Sequence, residues 1–185
     1  MRKDQIFMTL CLCVAFNSYG QSLSIGERAK KISESYERCN YWGEDSLEQC
    51  QEIFFEYFPK DFTTFYELYE NTSSLLYWES NKHLTLLSKF PKDTLLYRRL
   101  ILVSINGRIY DESVNRLRAM ARQSFLKDMK KFSGVLNDFD FESIVSVFKY
   151  LEENVDKMHQ IEVGQLKEIK ELYPKVYEAF VYSKR

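Results

Sequence analysis

Turn-forming residues are scarce in this chain: 6 Gly and 3 Pro stand among 185 residues. A sheet protein of this size needs frequent tight turns, so the shortage argues for helices joined by short connections. Histidine is scarcer still. His83 and His159 stand alone, with no second His or Cys at ligand spacing, which argues against a zinc site. Also lacking are a glycine-rich phosphate loop, a G-x-S-x-G elbow and an H-E-x-x-H helix. No apolar run approaches 18 residues, the length that begins to span a bilayer. Charge of one sign is missing too: 26 Lys and Arg balance 27 Asp and Glu, for a net −1. Neither nucleic acid nor an anionic membrane surface is implied as a partner. What the chain has is apolar and aromatic mass, 45% hydrophobic and 16% aromatic, with 14 Phe and 13 Tyr. That composition belongs to a folded globular chain.

The N-terminus reads as an export signal. Arg2 and Lys3 form a positive start, and Ile6 to Phe16 form an apolar run of 11 residues. Asn17-Ser18-Tyr19-Gly20 closes it with small residues at Ser18 and Gly20, where cleavage wants them. A buried N-terminal helix rarely has these flanks. A lipidated cysteine is excluded, because Leu10 and Leu12 precede Cys11 and Cys13 where a small residue is needed. Residues 1–20 are therefore expected to be a cleaved signal peptide and residues 21–185 a single all-α domain. Loss of Arg2, Lys3 and Asp4 takes the net charge from −1 to −2. The expected location is the periplasm, with no stable membrane insertion.

Seven to eight helices are expected. Ile25, Ala29, Ile32, Tyr36 and Cys39 fall on one helical face, and Trp42-Gly43 ends it. Ser46 to Gln49 reads as a capping box opening a second helix, which carries Cys50, Phe54, Tyr57 and Phe58 and stops before Pro59. Asp61, Asp93, Asp111 and Asp140 each stand where an N-cap is wanted, and Ser73 or Ser74 can cap a fourth helix running from Leu75 through Trp78 to Phe90. The run Leu100 to Ile105 is nearly all apolar; it continues the upstream helical pattern and is expected as buried helix, ended by Asn106-Gly107. The sixth helix carries Val114, Leu117, Ala121, Phe125 and Met129, with Arg116, Arg118, Arg122 and Lys127 as a basic face. Gly134 to Asp138 is expected as a loop. Val163 to Phe180 runs through one helix, or two broken at Pro174.

Cys39 and Cys50 are the cysteines left after cleavage. An even pair in an exported chain points to a disulfide, here stapling the corner between the first two helices, with two separate buried thiols as the alternative. No nucleophile pairs with a base. Glu52 and Glu56 share a helix face, as do Glu67 and Glu70, and solvated faces are expected for both. Adjacent aromatics such as Phe54-Phe55, Phe65-Tyr66 and Tyr77-Trp78 are too many for one helix face to bury. Some must reach the surface, where Tyr, Trp and Arg act as binding anchors. The partner-binding candidates are Tyr41, Trp42, Trp78, Arg116, Arg118 and Arg122.

The stretch from Phe54 to Tyr69 has the form FP-x-x-F-x-x-F-x-x-L-Y around Phe58, Pro59, Phe62, Phe65, Leu68 and Tyr69. Leu76-Tyr77, His83-Leu84, Tyr97, Leu100-Ile101, Ile105 to Asp111 and Val114-Asn115 follow in order. Over about residues 50 to 151 this resembles a family of small exported helical proteins from Bacteroidetes, found with type VI secretion and polymorphic-toxin loci. The resemblance implies an immunity protein, with a cognate toxin as partner, no cofactor and no catalysis of its own. Two other readings stay open: a wall hydrolase using an acidic pair, and a carrier of a small apolar ligand. The export reading has a direct consequence: N-terminal sequencing of the protein recovered from the periplasm starts at Gln21, and an intact Met1 start overturns it.

Overall fold

The computed structural model describes residues 23–42, 46–70, 72–108 and 112–185, without the side chain of Trp42. The expected signal peptide and the proposed cap Asp111 lie outside the described residues. Those residues form ten α-helices and no strand. They are α1 (Ile25–Trp42), α2 (Leu47–Tyr57), α3 (Phe62–Tyr69), α4 (Ser80–Lys89), α5 (Thr94–Ser104), α6 (Glu112–Lys127), α7 (Met129–Leu136), α8 (Phe141–Glu152), α9 (Lys167–Leu172) and α10 (Pro174–Ser183). Single 3₁₀ turns cover Tyr77–Glu79, Lys157–His159 and Val163–Leu166. The all-α expectation holds, and the run Leu100 to Ile105 is helix as far as Ser104, with Ile105 as its extended C-cap.

Short acids set many of the helix starts. Asp61, Asp93 and Asp140 are extended residues whose carboxylates accept from the amides of Thr64, Leu96 and Ser143. The expected box at Ser46 does not form: Ser46 has φ −115° and ψ 21°, and its side chain caps nothing. That conformation already lies near the helix and turns Oγ away from the amides it would need. The box forms instead at Ser24 and Glu27, where each side chain takes the other's amide.

Ten helices replace the expected seven to eight because the chain breaks where periodicity does not. Asp128 (φ −144°) ends α6 and caps α7 by accepting from Lys131 N–H, although the apolar pattern runs on through Met129. Gly134, expected in a loop, lies inside α7. A Cβ there would sit 3.0 Å from the hydroxyl of Tyr173, so this glycine admits a close neighbour. Leu75, Leu76 and Trp78 also leave the expected fourth helix. Leu76 N–H bonds back to Leu68 O at 2.8 Å, which folds the connection onto the end of α3 and delays α4 to Ser80. Pro174 does break the last segment, as the first residue of α10. At the end of α5, Asn106 takes the left-handed conformation (φ 59°), and Gly107 lies so close to the Tyr150 ring that a Cβ would be 2.6 Å from it.

Packing joins neighbours in sequence: α1 lies on α2, α5 on α6 and α7, and α10 along α8. One continuous core runs from Ala29 to Phe180. Its aromatic rings meet edge to face, as in Phe125–Phe148 (5.5 Å) and Phe148–Phe180 (5.0 Å). Each such side chain contributes about 1.5–3 kcal/mol by burial. Polar residues close the gaps. Buried Arg99 donates to the carbonyls of Phe55, Phe58 and Pro59, and Arg28 donates to Tyr57 O. Two cations thus complete the C-terminus of α2, where carbonyls lack partners and the dipole is negative. Burial, with Arg28 nearby, draws the Arg99 guanidinium down to about 10, still protonated at neutral pH.

Cys39 and Cys50 are buried at the facing ends of α1 and α2, with Cα atoms 5.3 Å apart, a disulfide distance. Replacing both by Ser is expected to lower stability by about 3 kcal/mol, read from urea denaturation. The oxidised protein, unfolded without reductant, should show no free thiol; two reactive thiols would refute the bond.

Candidate functional site

The 3₁₀ turn Tyr77–Glu79 carries an exposed aromatic side chain. Trp78 is 78% exposed, and its ring meets that of Tyr77 at 4.9 Å and 87°. The turn is pinned from beneath. Glu79 Oε2 accepts from Ser33 Oγ on α1 at 3.0 Å and stands 3.5 Å from His83 Nε2 on α4. His83 is fully buried, with Nδ1 3.0 Å from the Tyr69 hydroxyl. Tyr69 is itself buried and shares this hydrogen bond with Nδ1, while Nε2 makes no hydrogen bond among the described residues. Ser33 thus ties the turn to α1 through Glu79, and the Tyr69–His83 bond ties α3 to α4, so Trp78 projects from a turn held from beneath.

Beside this turn an open cleft lies between α1, α4 and α6. Its larger part, about 490 Å³, is lined by Tyr36 and Asn40 from α1, by Lys82, Thr85, Leu86 and Lys89 from α4, and by Asn81 and Arg116. A smaller hollow of about 170 Å³ is lined by Tyr77, Trp78, Ser80, Glu112 and Ser113, again with Asn81 and Arg116. The two shared residues make them one surface. Among the described residues the lining of the larger part has three cations, Lys82, Lys89 and Arg116, and no carboxylate. Half-buried Arg116 has no hydrogen-bond or ion-pair partner among the described residues, and neither does exposed Lys82.

Of the expected anchors, Trp78 and Arg116 come together in this hollow. Tyr41 is 89% exposed and follows Asn40 of the cleft wall. Trp42 ends α1, but its side chain lies outside the described residues. Arg118 and Arg122 do not join Arg116. Arg118 donates to Glu153 O at 2.7 Å. Arg122 donates to His159 O and to the Glu152 carboxylate, which stands 3.2 Å from Nε. Both cations are spent holding the segment after α8. The helical wheel explains the division: at about 100° per residue, 118 and 122 share a face, and 116 lies about 200° from 118. That signal was present in the sequence. Lys82 and Lys89 were not singled out as site residues, although Asn81, Lys82, Thr85 and Lys89 form the polar stripe of α4.

Among the described residues no group of three or more His, Cys, Asp and Glu could hold a metal, and no helix is long and apolar enough to cross a membrane. His159 is exposed on the turn after α8. Of the two acidic pairs, Glu52, Glu56 and Glu67 are solvated as expected. Glu70 is instead buried, because the chain folds back over the end of α3.

Burial, and to a smaller degree Lys82, pulls the His83 imidazole down to about 4. In the unfolded chain it protonates near 6.5. The unfolded state therefore takes up the proton first as pH falls. The contribution of neutral His83 is whole above 6.5, is lost between 6.5 and 4, and amounts to about 3 kcal/mol. Urea midpoints between pH 7 and pH 4 should fall accordingly. In His83→Gln this part of the slope should vanish; an unchanged slope places the titration elsewhere.

No family model, no curated protein and no solved structure matches the chain.

Proposed function

We propose that the protein is an immunity-type inhibitor, which binds a cognate antibacterial effector outside the cytoplasm and neutralises it by occlusion. The observation that carries this reading is that exposed Trp78 and half-buried Arg116, which has no hydrogen-bond or ion-pair partner among the described residues, line one hollow at the mouth of the cleft. Trp, Tyr and Arg are the residues on which binding energy concentrates. Trp78 is held by Tyr77 and by the anchored Glu79, so little side-chain freedom is lost when a partner closes over it. Inhibition by occlusion asks for no chemistry from the inhibitor. The resemblance in sequence to exported immunity proteins points the same way.

The test is rescue. A candidate effector encoded beside this gene is expressed in the periplasm of a heterologous host, with and without the mature domain. Restored growth together with a stable purified complex supports the reading; failure of both, for every neighbouring candidate, ends it. In the complex, Trp78→Ala is expected to cost about 2 kcal/mol, roughly thirtyfold in Kd. The thermal midpoint of the free protein should not move, because the side chain is solvent-exposed.

A further inference from the structure

We propose that the outer face of α10 is an interface between two copies of this chain, paired antiparallel about a twofold axis that passes between Val181 and Tyr182. This goes beyond the effector reading and does not rest on it, because the face shares no lining residue with the cleft beside Trp78. Shape is the first ground. Tyr177, Val181 and Tyr182 of α10 and Phe141 of α8 line an open groove of about 310 Å³. Tyr182 is 51% exposed, and its ring meets that of Phe141 edge to face at 5.8 Å. A projecting ring thus stands beside a hollow on one face. A second copy related by a twofold brings its ring to this hollow and receives the first ring in its own. Aromatic side chains covered in this way are the usual anchors of an interface.

The second ground is charge. Among the described residues two charged side chains line the groove, Glu178 and Arg185. They stand seven residues apart, which is two helical turns: one face, about 10 Å along the axis. Lys184 keeps helical dihedrals and Arg185 N–H bonds to Tyr182 O, so the last turn reaches Arg185. Its guanidinium lies over the Tyr182 ring at 5.9 Å. Lys170 of α9 stands over the Tyr177 ring at 5.4 Å and does not line the groove. The midpoint between Glu178 and Arg185 falls between Val181 and Tyr182. In an antiparallel pair centred there, Glu178 of one copy lies beside Arg185 of the other, and the contact is made twice. A parallel pair would set Glu178 against Glu178 and Arg185 against Arg185. The order of acid, apolar centre and base is therefore its own complement, which singles out a second copy as the occupant.

The third ground is a fixed base. Phe180, on the inner side of the same helix, packs on Phe148 at 5.0 Å, and Lys184 pairs with Glu152 at 2.8 Å. The helix that presents the face is anchored, so little freedom is lost on pairing. One helix face is smaller than the roughly 800 Å² per partner of a standard interface, so a Kd on the order of 10–100 µM is expected.

The experiment follows the mature protein by sedimentation velocity from about 1 µM to about 500 µM, a range that brackets that Kd. A reversible monomer–dimer equilibrium is expected. Glu178→Arg and Arg185→Glu should each weaken it about tenfold, because each sets like charges together. An equimolar mixture of the two variants should associate about as the parent does, since in the mixed pair both contacts again join opposite charges. The chain carrying both substitutions should do the same. Both side chains are exposed, so these variants read the contact and not the fold. Tyr182→Ser should weaken pairing at least about tenfold. Lys30→Ala, whose side chain pairs with Glu34 on α1, should leave it unchanged. The proposal is overturned if the protein stays monomeric throughout, if the charge variants associate as the parent does, or if their mixture stays as weak as its components. A monomer retained by vesicles of phosphatidylethanolamine and phosphatidylglycerol, with retention lost in Tyr182→Ser, also overturns it and makes the face a lipid contact.

Discussion

The imidazole of His83 is where α1, α2, α3 and α4 meet, and its place there requires that it be neutral and hydrogen-bonded. The rings of Tyr36, Phe54 and Tyr69 surround it at 5.1, 5.8 and 5.9 Å, one from each neighbouring helix. A charged group in that shell would lose its hydration with little in return. The Tyr69 hydroxyl satisfies one nitrogen, and the other faces Glu79, the residue that fixes the 3₁₀ turn. The surface depends on this arrangement. Trp78 is presented outward because the residue after it is held inward, and Asn81 and Lys82 enter the cleft because His83 turns the opposite face of α4 to the core.

Much of the architecture was legible before any coordinates. Apolar stripes at helical spacing placed nearly every helix, and Asp61, Asp93 and Asp140 marked their starts because a short carboxylate just before such a stripe has one evident use. The failures share a cause. Where the apolar stripe continues across a break, as at Asp128, pattern alone cannot show that the chain changes direction. Where the helix begins later than the stripe, after Leu75 and Leu76, a single backbone bond to Leu68 outweighs local propensity. Gly134 was misplaced because a glycine reads as a breaker, whereas here the missing side chain is what Tyr173 requires.

The cleft was half legible. Trp78 and Arg116 each carried the residue type of a binding anchor, but they lie far apart in the chain, and only tertiary packing brings them to one hollow. Arg118 and Arg122 had the same residue type and a different fate. The helical wheel could have separated them from Arg116; what it could not supply is the set of carbonyls that claims them. Lys82 and Lys89 were passed over because a lysine on a polar stripe usually reports only solvent.

One carboxylate at the far end of the molecule has a different kind of consequence. Glu152, nearly buried, accepts from Arg122, from Lys184 and from the amide of Ile161, and so gathers α6, α10 and the connection after α8 at one point. An acceptor shared by three donors makes mutational tolerance one-sided. Any one donor can be lost while the carboxylate keeps the other two. Loss of the acceptor takes a partner from two cations and an amide at once, with Arg122 left only the His159 carbonyl. Substitution in this region should therefore be tolerated better at any one donor than at position 152.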